Sequence, residues 1–212
     1  KKPVSFPYIP GGDVCGKIVR VPDNHPETSP FQIDDWVVST WDTFGINGLA
    51  EFALVAERYT VKKPESISPI HAAAVANSTG HAILAARDVV KEGHRVLILG
   101  GSGGVGSSLI QIARNAGASF IAATSTRTEW LKNDMKVDRA IDYCAENWWE
   151  LDEFLERKFD VIFDCAEGES AWQKAKELKV LKTGSEGGRF VSIITSWEIK
   201  IHSVVDMFKF MG

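Results

Sequence analysis

The stretch RVLILGGSGGVGSSLIQIARNAG, residues 95–117, constrains this chain more than any other. A buried apolar strand over Val96–Leu99 runs into Gly101-Ser102-Gly103-Gly104-Val105-Gly106 and then into a helix that ends at Gly117. This is the G-x-G-x-x-G spacing with a strand before it and a helix after it, the context in which it signals dinucleotide binding. The first glycine permits a tight turn, the second lets backbone approach a pyrophosphate, and the third lets helix and strand pack closely. Unpaired N–H groups and the positive end of the helix dipole then face the phosphates. Taken bare, the hexapeptide reads equally as a flexible turn. Its flanks argue otherwise: Leu109, Ile110, Ile112 and Ala113 continue at helical spacing, and Gly117 is a natural C-terminal cap.

The rest of the chain falls into two patterns. Residues 1–65 read as β structure, with strands expected over Val14–Val21, Trp36–Thr40, Ala50–Val55 and Tyr59–Lys62. Turn clusters such as Pro10-Gly-Gly-Asp13 and Asn47-Gly48 separate them. From about Pro64 the pattern changes to a long alanine-rich helical stretch from Ser66 to about Val90. Strands expected at 95–99, 119–124, 139–143, 160–165 and 189–194 then alternate with helices near 105–116, 128–134, 146–157 and 169–180. Such alternation implies βαβ units, a doubly wound parallel sheet of the Rossmann type, and helices on both faces. The expected organisation is therefore a β domain over 1–65 and a dinucleotide-binding domain over 66–212.

Composition excludes some functions. The net charge of −4 argues against nucleic acid as the main partner. No apolar run approaches the length of a membrane span. The start, KKPVSFPYIPGGD, lacks the apolar core of a secretory signal. Cys15, Cys144 and Cys165 are far apart and odd in number, which fits packing in a reducing compartment better than a disulfide framework. A cytoplasmic or organelle-matrix location, the mitochondrial matrix included, is expected, and secretion is not.

The segments PYIPGGDVCGKIVRV, DDWVVST, GLAEFALV, VKKPESIS, HAAAVANSTGHAILAA, VLILGGSGGVG, RAIDY, FDVIFDCAEG and GGRFVSI follow one another along the chain. In that order they resemble the medium-chain dehydrogenase/reductase superfamily, and most closely its zinc-independent quinone oxidoreductase (zeta-crystallin-like) branch. The resemblance implies that residues 1–65 are part of a GroES-like catalytic domain. On that comparison the sequence starts after the family's first strands and stops before its last ones. The nucleotide domain is thus expected to be incomplete at its C-terminal end, and the segment that supplies an active-site tyrosine in some members is expected to lie outside this sequence, which is either part of a longer chain or a reduced relative. No catalytic residue can be named. Zinc-dependent relatives carry Gly-His-Glu where this chain has Gly11-Gly12-Asp13, and a four-cysteine lobe where it has WDTFGINGLAEF. A catalytic zinc needs about three protein ligands; no metal is expected here.

Cofactor preference is read after the second strand of the nucleotide domain. NAD-preferring sites place an acid about 20 residues past the glycines. Here the strand ends in Ser125-Thr126-Arg127-Thr128, and no acid appears before Glu129. Hydroxyls and a guanidinium suit a 2′-phosphate, which a carboxylate would repel. By resemblance, Tyr143 also contacts that phosphate. The expected cofactor-binding set is Gly101, Ser102, Gly103, Gly104, Val105, Gly106, Ser125, Arg127 and Tyr143, and the cofactor is NADPH.

Other residues carry weaker signals. In the family, the stretch holding Asn77, Ser78, Thr79 and His81 faces the nicotinamide, so His81 either bonds carboxamide or substrate or is polar packing at a domain seam. His25, His71, His94 and His202 show no partner spacing and read as structural or exposed. Asp164-Cys165-Ala166, and Ile193 and Ile194, lie where ligands of such sheets gather; Cys165 reads as a packed thiol rather than a redox-sensitive one. Trp148 and Trp149 cannot both point inward from one helix, so one of them marks a contact surface.

These readings converge on NADPH-dependent hydride transfer to a quinone or α,β-unsaturated carbonyl without zinc. The partner would be a small-molecule substrate, and the assembly a homo-oligomer, a dimer by family habit, or a subunit of a larger complex. The alternative is a catalytically inactive nucleotide-binding structural or regulatory subunit.

Overall fold

A computed structural model describes residues 9–40, 48–184 and 187–194. His202 and the Asn47 half of the Asn47–Gly48 turn lie outside the described residues. The chain divides into two compact units, Lys1–Gly80 and His81–Gly212. The division falls within a helix, whereas the change of sequence pattern comes at residue 65.

The first unit contains a three-stranded antiparallel sheet in the order β1 (Val14–Lys17), β2 (Trp36–Ser39) and β3 (Thr60–Lys62). Cys15 pairs with Val38, and Val38 with Val61. The central strand is the buried one: Val37, Val38 and Ser39 are all inside. Its one buried hydroxyl is satisfied, since Ser39 Oγ donates to the Tyr59 carbonyl and accepts from Thr60 Oγ1, each at 3.1 Å. The strand expected over Ala50–Val55 does not form. Phe52 and Leu54 are 72% and 93% exposed, so no buried face rewards their alternation, and the segment stays irregular. Helix α1 (Pro69–Ala86) starts where its chemistry allows. Ser68 Oγ accepts from the His71 N–H at 3.3 Å as an N-cap, and Pro69, which has no N–H to leave unpaired, takes the first helical position.

The second unit is a five-stranded parallel sheet in the order β6 (Arg139–Ile141), β5 (Phe120–Thr124), β4 (Arg95–Leu99), β7 (Val161–Asp164), β8 (Arg189–Ser192). Its helices are α2 (Gly104–Asn115), α3 (Thr128–Asn133), α4 (Asp152–Glu156) and α5 (Glu169–Glu177). This is the expected Rossmann-like α/β arrangement. Residues Val96 to Leu99 are fully buried and divide by the period of two between the sheet's faces. Val96, Ile98, Ala123 and Phe163 pack with Leu109, Ile110 and Ala113 of α2, Leu131 of α3 and Ala82 and Ala86 of α1. Leu97, Leu99, Ala122 and Ile162 pack on the other face with Trp148, Phe154, Phe159, Ala171 and Ala175.

The single helix expected over 146–157 is broken. A 3-10 turn at Trp148–Glu150 precedes α4, and Leu151 between them is extended, at φ −74° and ψ 117°. The break solves the tryptophan problem without an outside partner. Trp148 is buried with its indole N–H donating to Glu167 Oε1 at 2.9 Å, while Trp149 is half-buried beneath Lys174 Nζ, 3.4 Å from the ring centroid. Glu153, half exposed on α4, pairs with Arg139 at 2.8 Å. No described helix is long and apolar enough to cross a membrane.

Candidate cofactor site

The strand order reverses between β4 and β7, so the C-terminal ends of these strands frame the crevice in which open α/β sheets bind ligands. At the end of β4 the chain turns through Gly100, whose φ of +81° favours glycine. The tight turn thus falls one residue before the first glycine of the recognised hexapeptide. Thr124, the last residue of β5, holds this turn twice. Its hydroxyl accepts from the Gly100 N–H and its carbonyl from the Gly101 N–H, both at 2.9 Å. Nothing in the sequence singles out Thr124; its role depends on which strand lies beside β4.

The glycines have distinct geometric reasons. A Cβ on Gly106 would fall on the Gly100 carbonyl oxygen and within 2.9 Å of Gly101 Cα, and one on Gly101 would lie 2.7 Å from Ala123 Cβ. Both positions are closed by the loop's own packing. Gly103 is exposed, and a Cβ there would meet only Gly100 O, at 3.4 Å. Its surface is bare backbone, open to a close-lying group. Helix α2 begins at Gly104 with Gly103 as N-cap and no side-chain cap, and the first helical amides have no acceptor within the helix. The Gly103 N–H closes the loop on the Gly100 carbonyl at 3.1 Å, and Gly104 and the half-buried Val105 present N–H groups at a positive helix end, which fits a pyrophosphate.

Ser125 follows Thr124 and is buried, and its N–H donates to the Ile141 carbonyl at 2.9 Å, which sets the ends of β5 and β6 side by side. Ser125 Oγ donates to Ser102 Oγ at 2.7 Å and accepts from the Arg127 N–H at 2.9 Å. The glycine loop and the turn after β5 are thus bonded through two hydroxyls. Arg127 is exposed and its guanidinium lies over the Trp130 ring, 4.8 Å from the centroid. The nearest acid, Glu129, is engaged along its own helix with Lys132 at 3.7 Å and Asn133 at 3.4 Å. Tyr143 stands two residues past β6 and is 56% exposed. All nine residues expected at a cofactor site, Gly101 to Gly106 with Ser125, Arg127 and Tyr143, lie beyond the C-terminal ends of β4, β5 and β6.

Across the reversal point, β7 ends in the fully buried Asp164. Its carboxylate accepts from the Ala166, Glu167 and Gly168 N–H groups and from Ser192 Oγ, at 2.7–3.0 Å. Asp164 therefore organises a turn. The sequence signal for that is an aspartate followed by a glycine-ended loop. Cys165 is packed against the core, and burial together with the Asp164 charge pushes its thiol up to about 12. Ile193 and Ile194 at the exit of β8 are half-buried.

In the first unit, Asn77 Nδ2 donates to Thr40 Oγ1 at 3.3 Å, and Thr40 Oγ1 donates to Asp13 Oδ1 at 2.7 Å. His81 is exposed on α1. Three other histidines make local bonds: His25 with the Phe31 carbonyl, His71 with Ser68 and His94 with the Lys91 N–H. Among the described residues, no group of three or more His, Cys, Asp or Glu side chains is placed to hold a metal ion.

The NAD dependent epimerase/dehydratase family matches residues 96–188, inside the second unit. The chain is 36% identical over 190 residues to a 2-methylene-furan-3-one reductase of Solanum lycopersicum, covering 84% of this chain and 45% of that protein. It is 35% identical over 197 residues to the mitochondrial NAD(P)H oxidoreductase RTN4IP1 of Danio rerio, covering 90% of this chain and 49% of that protein. Among solved structures, a mycobacterial protein complexed with NADPH superposes with a TM-score of 0.63 at 27% identity, covering 77% of this chain and 51% of that one. The chain spans about half the length of the curated relatives it matches.

Proposed function

We propose that this chain, which is similar to quinone and NAD(P)H oxidoreductases, forms part of a zinc-independent reductase of the medium-chain dehydrogenase/reductase superfamily. Its substrate is a quinone or an α,β-unsaturated carbonyl, and its cofactor is NADPH. The observation that carries this reading is the turn after β5. Held by the buried Ser125, it offers the exposed guanidinium of Arg127 beside the nearby phenol of Tyr143, with no carboxylate before Glu129. That set attracts a 2′-phosphate. The names of the relatives supply the reaction class.

Bound NADPH supplies a hydride; the chain supplies binding, orientation and exclusion of water. The first-turn amides of α2 hold the pyrophosphate against the bare surface of Gly103. Arg127 and Tyr143 would donate to the 2′-phosphate, and Ser125, bonded to Ser102 and to the Arg127 N–H, would fix the turn that carries the guanidinium. An enone or quinone is already electrophilic, so acceptance of hydride needs no metal polarisation. Hydrogen-bond donors to the developing oxyanion complete such a site. Residues 1–65 are read as part of the substrate domain and 66–212 as the nucleotide domain. Our reading assigns the protein to the cytoplasm or an organelle matrix, as a homodimer or a subunit of a larger complex.

The test is cofactor titration and steady-state oxidation with a panel of quinones and enones. NADPH is expected to bind and be oxidised in preference to NADH. Arg127→Ala is expected to weaken NADPH by about 1.5–3 kcal/mol, the worth of a hydrogen bond to a charged group, and to leave NADH nearly unchanged. Equal losses for both nucleotides would overturn the assignment.

A further inference from the structure

The four donors that meet Asp164 divide evenly. Ala166 and Glu167 N–H reach Oδ1 at 3.0 and 2.8 Å, and Gly168 N–H and the Ser192 hydroxyl reach Oδ2 at 2.7 and 3.0 Å. An ionised carboxylate only accepts, and has about four lone-pair sites. With those sites filled and the side chain fully buried, this carboxylate touches no ligand. What it does is hold shape at two places. The turn 165–168 lies against the glycine loop: the Cys165 N–H donates to the Leu99 carbonyl at 3.0 Å, and a Cβ on Gly100 would stand 3.1 Å from Ala166 Cβ. The exit of β8 is tied to the same carboxylate through Ser192, whose oxygen also accepts from the Ile194 N–H at 3.3 Å.

These two turns lie on the far side of the reversal point from Ser125 and Arg127. A dinucleotide bound at such a point spans it, with one mononucleotide half over each set of strands. The adenosine half then belongs to the β4–β5–β6 side, and the turns after β7 and β8 border the other half. Resting on the cofactor reading above, we propose that Asp164 is the positioning residue for the nicotinamide half of the cofactor. It acts through the 165–168 amides and Ser192, which hold both bordering turns in binding shape.

An asparagine at this position cannot do the same. In either orientation its NH2 group faces two donors, at least one of them a backbone N–H that cannot reverse. The experiment compares NADPH with adenosine 2′,5′-bisphosphate, which carries only the adenosine half, by calorimetry on the full chain, with thermal melting alongside. Asp164→Asn is expected to weaken NADPH about tenfold or more while the bisphosphate stays within about twofold. Ser192→Ala is expected to weaken NADPH alone by several-fold, and Ser192→Thr, which keeps the hydroxyl, to recover it. This pair decides the matter if Asp164→Asn does not fold. Equal loss of both compounds would mean that Asp164 only stabilises the fold, and no loss of either would mean that it positions nothing; each result overturns the inference. A wild-type protein that binds neither compound overturns the cofactor reading itself, a result distinct from these.

Discussion

Cys144 and Cys165 follow two strands of the same sheet, β6 and β7, and differ in their access to solvent. Cys144 is exposed in the turn after β6. Cys165 is packed against the core, where burial first and the Asp164 charge second keep its thiol protonated, near 12. The thiolate is the reactive form. Iodoacetamide at pH 8 is therefore expected to label Cys144 in the native protein and Cys165 only after denaturation, as read by peptide mass mapping. Equal labelling of the two would contradict the packing described. The packed character of Cys165 was legible in the sequence from its place at the end of an apolar strand. Asp164 beside it was read as proximity to a ligand, although the glycine-ended loop that follows it also signals a turn. Three of its donors are backbone N–H groups, and the fourth, Ser192, comes from the next strand. No residue pattern announces such a partner.

At the scale of elements, the loop before α2 separates two kinds of glycine. Gly106→Ala would drive a Cβ into the Gly100 carbonyl, whereas Gly103→Ala would meet nothing closer than 3.4 Å. The first substitution is expected to cost about 1–3 kcal/mol of stability, as overpacking does, and to abolish tight NADPH binding. The second is expected to lower the melting temperature only slightly, as an alanine N-cap does, and still weaken NADPH, because its methyl group stands where a pyrophosphate must approach. Calorimetry and thermal melting on both variants check this; a large fall in melting temperature for Gly103→Ala would contradict it. The loop was readable because its constraint is the absence of a side chain, which a sequence shows directly. Elements whose limits come from neighbours were not. Ala50–Val55 has the strand pattern but no buried face, and the 146–157 helix gives way at Leu151 because Trp148 and Trp149 need different environments.

On the scale of the molecule, the two ends of the parallel sheet in the second unit carry different loads. The C-terminal ends gather glycines, hydroxyls and amides. The N-terminal ends gather a charge cluster: Asp160 accepts from the Arg95 N–H at 2.9 Å and from Lys182 Nζ at 2.6 Å. Burial alone would raise this carboxyl, but those two donors and the Lys182 charge bring it below its ordinary value. A depressed carboxyl contributes stability above the unfolded pKa, about 3.9, and loses it as pH falls through the lower folded value. Asp160→Asn is thus expected to cost about 1–3 kcal/mol at pH 7. The gap from wild type should close below about pH 4, where the unfolded carboxyl takes up its proton. Denaturant melts at pH 7, 4 and 3 read this, and a gap that stays constant would contradict it. The parallel order itself was foreseeable, since alternating strands and helices admit few other topologies. The partners of Asp160 were not, because they lie far off along the chain.

The turn after β5 hangs from main-chain bonds: Gly101 N–H to Thr124 O, and Ser125 N–H to Ile141 O. Residues 126 and 127 are exposed beyond those anchors. Mutation can exchange the outward groups there while the anchoring lattice persists. On the cofactor reading proposed above, coenzyme preference is then an evolutionarily separable trait, free to drift between lineages without remaking the architecture beneath it.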